Sequence, residues 1–191
     1  MEVIVFFKCP LHRSGEKIEF IVFFIAPCTG QGAKQILGSC GMAEIIGYMA
    51  TWTTYGTWLP GDERGYVDNK GQLHEGDEKI LKENQERQKS PTVKLNEQEK
   101  VIARHVILDE AVRIGHKIIA IAVNSNHVHL LAKPHSQPIA SIIGRYKSIT
   151  TRAFWEYGKK GKIWTRGFDK RFCFTEMEIA ARIIYIQKHY D

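Results

Sequence analysis

The 191-residue sequence lacks any apolar run of about 20 residues, the length that a helix needs to cross a bilayer. Its two apolar runs near the start, 1–7 and 18–26, are both shorter than this. A secretion signal is also a poor fit, because Glu2 precedes the first run and charged residues separate it from the second. The sequence therefore predicts no association with a membrane.

Paired cysteine motifs are also missing. The four cysteines are Cys9, Cys28, Cys40 and Cys173, and no two of them have the spacing of a zinc site. Cysteines without such a framework are typical of proteins in a reducing compartment. We therefore expect free thiols and a cytoplasmic location.

The stretch 124–131, which reads Asn-Ser-Asn-His-Val-His-Leu-Leu, contains the most informative pattern. Apolar residues on both sides of it predict two strands joined by a tight turn at about 124–126. Side chains alternate along a strand, so His127 and His129 lie on the same side, about 7 Å apart at their Cα atoms. Two such imidazoles can share a metal ion with a third ligand. The alternative is a pair of polar residues on the solvated face of a sheet.

A second candidate region lies near the end of the chain. Thr175 and Glu178 form a capping box, which predicts a helix over 176–189. Its buried stripe consists of Ile179, Ile183 and Ile186. Tyr185 and His189 lie one turn apart on another face, which places a phenol beside an imidazole. The alternative is an amphipathic rim residue beside a solvated cation at the helix end.

The other patterns predict an α+β domain. Strands are expected at 47–55, 116–123, 127–133 and 170–174, and helices at 77–88, 97–114 and 139–157. The βαββαβ order followed by a helix is ferredoxin-like, with an antiparallel sheet and the two main helices on one face. We expect the strand that carries His127 and His129 to be central, with both histidines and the last helix on the other face. His105 is expected on the buried side of the helix over 97–114.

Positive charge is concentrated at the C-terminal end. The net charge is +6, and residues 141–191 hold eleven Lys and Arg against five Asp and Glu, which accounts for the whole excess. Basic residues interleaved with aromatics are typical of surfaces that bind single-stranded nucleic acid. The candidate DNA-binding residues are Arg145, Lys147, Arg152, Trp164, Arg166, Lys170 and Arg171. The alternative is that several of these charges are only solvated and most of the aromatics belong to the core.

Taken together, these residues resemble the single-tyrosine HUH transposases, and in particular the branch of REP-associated tyrosine transposases. The motif of that family, His-hydrophobic-His, matches residues 127–129, and its nucleophile matches Tyr185. Its third metal ligand, usually Gln or Asn, falls on His189, which departs from the family in residue type. The segment 52–61, Trp-Thr-Thr-Tyr-Gly-Thr-Trp-Leu-Pro-Gly, resembles the first strand and following loop of the same branch.

The resemblance implies an enzyme that cleaves and rejoins single-stranded DNA through a 5′-phosphotyrosine at Tyr185. His127, His129 and His189 would hold Mg²⁺ or Mn²⁺, and hairpin-containing DNA and a homodimer are the expected partners. Two other functions stay open. One is a metal phosphodiesterase that activates water, and the other is a domesticated protein that binds hairpin nucleic acid without cutting it.

The resemblance covers roughly residues 48–191, so we expect residues 1–47 to be an N-terminal extension. Its two apolar runs could pair as a hairpin. Alternatively, the extension could be translated from a start upstream of the natural one, with Met42 or Met49 as the true first residue. We favour the second interpretation.

Overall fold

A four-stranded antiparallel sheet forms the centre of the domain that carries the candidate site. The structure is a computed structural model that describes residues 3–5, 22–24, 44–67 and 72–189. By its internal contacts the chain divides between Glu44 and Ile45. In the first unit, β1 (Val3–Val5) pairs antiparallel with β2 (Val22–Phe24). The predicted division at residue 47 stays a prediction, and most residues of that extension, including Met42, lie outside the described residues.

The second unit has the predicted ferredoxin-like order. Its elements are β3 (Gly47–Thr53), β4 (Tyr66–Val67), β5 (Leu73–His74), α1 (Glu78–Glu86), α2 (Glu97–Ile114), β6 (Ile118–Val123), β7 (His127–Ala132), α3 (Ile139–Glu156), β8 (Asp169–Cys173) and α4 (Glu176–Gln187). The main sheet has the order β6-β7-β3-β8, and all its pairs are antiparallel. The α+β fold class is thus confirmed, and β7 is a central strand as predicted.

Local signals in the sequence set the ends of the main helices. Asn96 forms a capping box with Glu99 at the start of α2, and Thr175 forms one with Glu178 at the start of α4. Helix α2 stops at Gly115, whose φ of 71° lies in the left-handed region that glycine adopts without a Cβ clash. These signals depend on a few neighbouring residues, which is why the sequence located both helices closely.

The two faces of the sheet are covered by different helices. Trp52, Val128 and Leu130 point into the larger core, where Ile107 of α2 and Ile142 of α3 are also buried. On the opposite face, α4 covers a smaller core, whose buried residues are Met49, Ala122, Leu131, Cys173, Ile179 and Ile186. The predicted isoleucine stripe thus attaches α4 to the sheet. Cys173 is a free thiol. No helix in the described part of the chain has the length and apolarity of a membrane span.

The prediction that His105 lies on the buried side of α2 is wrong. Its side chain is exposed, and the buried residues of α2 are Ala103, Ile107, Glu110 and Ala111. Apolar residues surround this helix, and Val112 is 84% exposed, so the pattern did not define one face. Just after this helix, His116 is buried instead, and it hydrogen-bonds the hydroxyls of Tyr48 and Tyr146 at 2.9 and 2.6 Å.

Candidate active site

Side chains alternate along β7, so its histidines point away from the larger core. Val128 and Leu130 belong to the larger core, whereas Leu131 packs under α4 on the opposite face. His127 and His129 therefore share the α4 face with Leu131. Their ring centroids lie 4.5 Å apart.

Helix α4 brings the two other predicted site residues to this pair. The ring of Tyr185 lies 5.2 Å from that of His129, and the ring of His189 lies 5.0 Å from His129 and 5.8 Å from His127, centroid to centroid. The possible ligand nitrogens of the three histidines all lie within 4.8 Å of one another. All four side chains belong to one chain, so a single protomer assembles the cluster.

Hydrogen bonds orient the rings of the histidine pair. Nδ1 of His129 lies 2.8 Å from Oγ1 of Thr51 on the neighbouring strand β3, and Nδ1 of His127 lies 2.6 Å from Oδ1 of Asn126. When Nδ1–H of His129 donates to Thr51, the Nε2 lone pair of His129 remains available for a metal. In His127, the side-chain amide of Asn124 lies 2.9 Å from Nε2 and donates to it, so a metal bound at this nitrogen would replace that hydrogen bond.

Sequence reasoning missed these three hydrogen-bonding partners as site residues. Asn124 and Asn126 were assigned only to the predicted turn, and their position next to His127 was the available signal. Thr51 had no such signal, because it reaches His129 only through the register of β3 against β7.

Burial keeps both histidines of β7 in the neutral form that can bind a metal. It lowers the pKa of His129 to about 4, with smaller effects from His127 and His189. It also lowers the pKa of His127, and electrostatic interactions with His189 and Arg64 act in the same direction. Neutral imidazole is the form that binds a divalent cation, and imidazole nitrogen suits Mn²⁺ or heavier ions better than Mg²⁺.

Tyr185 is accessible beside this cluster. Its side chain is 45% exposed, and its ring lies 4.7 Å from that of His189, centroid to centroid. Its hydroxyl has no hydrogen-bond partner among the residues that the structure describes. A substrate can therefore reach this phenol without displacing a neighbour.

The predicted DNA-binding residues fall into different environments. Trp164 is only 5% exposed, and its indole N–H donates to Oγ1 of Thr150 at 2.8 Å. A ring held in the core is not placed to stack on a base, so its burial does not support the prediction that Trp164 binds DNA. Lys147 is partly buried, and its Nζ donates to the carbonyl oxygens of Thr165 and Gly167 at 3.0 and 2.6 Å. Burial lowers the pKa of Lys147 to about 8.

The remaining candidates are exposed, but they do not share one face. Arg171 pairs in register with Met49 on the α4 face, so it lies on the same side as the histidines. Lys170 points to the opposite face, with Nζ 5.6 Å from the ring centroid of Phe172. Arg145 forms an ion pair with Glu110 at 3.0 Å. Arg152 and Arg166 are exposed on α3 and before β8. Of the exposed basic residues on β8, Arg171 is therefore the one on the face of the sheet that carries the candidate active site, where it forms an ion pair with Asp169 at 3.0 Å.

Sequence comparison decides the family. The model of the family described as Transposase IS200 like matches residues 84–189, which is more than half of the chain. The chain belongs to the IS200-like transposase family. This confirms the resemblance to single-tyrosine HUH transposases that the sequence indicated, and it supports a transposase role in DNA rearrangement. A search of curated proteins gives no significant match.

Two solved structures are similar to this IS200-like transposase. One is a REP-associated tyrosine transposase bound to a REP hairpin, with 13% identity and a TM-score of 0.49, covering 82% of this chain and 76% of that one. The other is a protein assigned as a transposase from Deinococcus radiodurans, with 16% identity and a TM-score of 0.38. It covers 81% of this chain and 98% of that one. The family assignment rests on the sequence match.

Proposed function

We propose that this IS200-like transposase is a metal-dependent, single-tyrosine HUH strand transferase. It cleaves and rejoins single-stranded DNA through a 5′-phosphotyrosine at Tyr185. The proposal rests on the exposed phenol of Tyr185, which lies beside a cluster of three imidazoles. The ring centroids of Tyr185 and His129 are 5.2 Å apart. Two of these imidazoles, those of His129 and His189, lie beside the phenol, and a cation held by the cluster would supply the positive charge that phosphoryl transfer to the phenol needs.

His127, His129 and His189 would hold the divalent ion, Mn²⁺ by the chemistry of the ligands or Mg²⁺ by resemblance to the family. When bound, the ion would supply positive charge to offset the charge that develops on the phosphate. The protein's own contribution concerns His127 and His129, whose imidazoles burial keeps neutral and Asn126 and Thr51 orient.

The cleavage step is a transfer of the phosphoryl group from DNA to tyrosine. The Tyr185 oxygen forms a bond to phosphorus while the bond from phosphorus to the 3′ oxygen of the preceding nucleotide breaks. The phenol loses its proton, and the departing 3′ oxygen gains one. Rejoining reverses these changes, because a 3′-hydroxyl attacks the phosphotyrosine and tyrosine regains its proton. The bond energy is kept in the phosphotyrosine, so no nucleotide cofactor is required.

The substrate and the assembly follow from resemblance and charge. The substrate is single-stranded DNA with hairpins, and the enzyme acts on it in the cytoplasm. The exposed residues Arg152, Arg166, Lys170 and Arg171 are the candidate contacts with this DNA. Arg145, Lys147 and Arg171 already have partners, which are Glu110, two backbone carbonyls and Asp169 respectively, and they would exchange these partners for DNA. The protein would act as a homodimer, and since all four site residues belong to one chain, the tyrosine would serve its own metal site.

An assay for covalent adducts tests this function. Incubation with labelled hairpin-containing single-stranded DNA and Mn²⁺ is expected to give a denaturant-stable protein–DNA adduct. Tyr185→Phe is expected to lose both the adduct and cleavage. Cleavage that survives in this variant would favour the water-activating phosphodiesterase. The non-cutting protein would be favoured if the wild type bound DNA without forming an adduct and if His127→Ala and His129→Ala bound it equally well.

A further inference from the structure

A polar pocket of about 340 Å³ opens beside the turn that precedes His127. Its walls come from the loop after β3, from α1 and from the extended segment before α2. The polar side chains that line it include Thr57, Asp62, Arg64, Gln85, Lys94 and Asn126. Asn126 connects this pocket to the candidate active site, because its Oδ1 lies 2.6 Å from Nδ1 of His127. The roles proposed above do not use this pocket.

The segment 92–95 is held firmly in place along one wall. The backbone N–H of Val93 donates to the carbonyl of Tyr55 at 2.8 Å, and that of Leu95 donates to the carbonyl of Ser125 at 2.7 Å. The side chains of Val93 and Leu95 are buried. In an extended segment the residue between them points the other way, and Lys94 therefore faces the pocket.

The loop after β3 forms the opposite wall and is equally well anchored. The guanidinium of Arg64 donates twice to the carboxylate of Asp62, at 2.6 Å each, and once to the carbonyl of Thr57 at 3.0 Å. It also lies 4.7 Å from the ring centroid of Trp58. The backbone N–H of Thr54, at the start of this loop, donates to the carbonyl of Asn126 at 2.8 Å. The pocket is thus preformed next to the turn that carries the histidines.

Two lining side chains are available for a ligand. Neither the amide of Gln85 nor the ammonium of Lys94 has a hydrogen-bond partner within the described ranges. An amide offers both a donor and an acceptor, as the edge of a nucleobase requires, and an ammonium suits a phosphate. Since Asp62 is neutralised by Arg64, Lys94 leaves the pocket with a net positive charge.

Charge distinguishes this pocket from its larger neighbour. A cavity of about 810 Å³ shares Arg64 and Leu81 with it. The acidic residues that line the larger cavity are Glu63, Glu75, Asp77 and Glu78. Four carboxylates would repel a phosphodiester, so the electrostatics favour the smaller pocket for a DNA strand.

We propose that the smaller pocket receives one unpaired nucleotide next to the scissile phosphate, with Gln85 binding the edge of its base and Lys94 its phosphate. This inference rests on the proposed DNA cleavage, and it names residues that select the sequence beside the cut. Because the pocket adjoins His127 through Asn126, the nucleotide that it holds is close to the cleaved bond in the strand.

Single abasic substitutions in the DNA test the inference. Each nucleotide within a few positions of the cut is replaced in turn, and the rate of adduct formation is measured with Mn²⁺. In the wild type, removal of the base at one position is expected to lower the rate of adduct formation about tenfold. This is the size expected for loss of a hydrogen-bonded base contact. In Gln85→Leu, the intact substrate is expected to react about tenfold more slowly, with no further loss at that abasic position.

Lys94→Met is expected to weaken binding of every oligonucleotide and to reduce its salt dependence. Two matched controls remove the same groups elsewhere. Lys82 lies on α1 and Gln98 on α2, and both are exposed and line neither cavity. Lys82→Met and Gln98→Leu are therefore expected to behave like the wild type, and circular dichroism checks that all variants fold.

The outcomes separate this inference from the proposed function. If the wild type forms an adduct but tolerates every abasic position equally, the pocket proposal is overturned and the cleavage proposal stands. The same holds if Gln85→Leu keeps the full abasic penalty. If no oligonucleotide forms an adduct, the cleavage proposal fails. The pocket is then judged by fluorescence anisotropy, where equal affinities of Gln85→Leu, Lys94→Met and their controls would overturn it.

Discussion

Thr51 and His129 are joined across two central strands, with Oγ1 of the threonine 2.8 Å from Nδ1 of the histidine. The two residues are direct partners in the register of β3 and β7. The hydrogen bond determines which imidazole nitrogen is left for a metal, and it makes a threonine without any metal contact part of the candidate site.

Removing this hydroxyl is expected to weaken metal binding. Thr51→Val keeps the shape of the side chain but leaves Nδ1 of His129 without its partner, so the affinity for Mn²⁺ should fall about tenfold or more. Titration calorimetry measures the affinity, and Thr51→Ser, which restores the hydroxyl, should recover most of it. Equal affinities of the valine and serine variants would contradict this role.

The tyrosine is expected to act on the metal site of its own chain. Tyr185 and the three histidines meet within one protomer. A mixture of Tyr185→Phe with a His127→Ala, His129→Ala double variant should therefore form no covalent adduct with hairpin DNA. If adduct formation were restored, the tyrosine of one subunit would be serving the histidines of its partner.

Acid is expected to destabilise the fold through His116. Burial lowers its pKa to about 4 from an ordinary value of 6.5, so the unfolded chain binds a proton that the folded chain excludes. Its contribution to stability is complete above pH 6.5 and is lost as the pH falls toward 4, by about 3 kcal/mol for a shift of this size.

Urea unfolding between pH 7.5 and 4 measures this effect when the wild type is compared with His116→Gln. The glutamine does not titrate, although it can still bond the hydroxyls of Tyr48 and Tyr146. The difference in the free energy of unfolding between the two proteins should change across this range. A constant difference would exclude His116 as the group responsible.

Trp164 is expected to matter for stability and not for contact with DNA. Trp164→Ala removes a ring that packs against Trp52 and Phe154, so it should cost about 3 kcal/mol or more in the free energy of unfolding. Trp155→Ala, at a position that is 48% exposed, should cost clearly less. Urea unfolding compares them, and a folded, stable Trp164→Ala protein with weakened DNA binding would reverse this assignment.

Local sequence patterns were enough to predict the helices, the strands and the residue pairs that lie within one element. Capping boxes mark the first residues of α2 and α4, and the two-residue period of a strand placed His127 and His129 on one side. The helical period placed Tyr185 next to His189. These relationships depend on residues a few positions apart, which is why a linear pattern carries them.

Which side chains are buried, and which ones meet across strands, depends on the packed fold. It exposed His105 and buried His116, it placed Trp164 in the core, and it joined Thr51 to His129. The apolar residues around α2 and the aromatics near the C-terminal end fit more than one arrangement when read along the chain. The choice depends on volume and hydrogen bonding among residues far apart in sequence, and these exist only once the sheet and its helices have packed together.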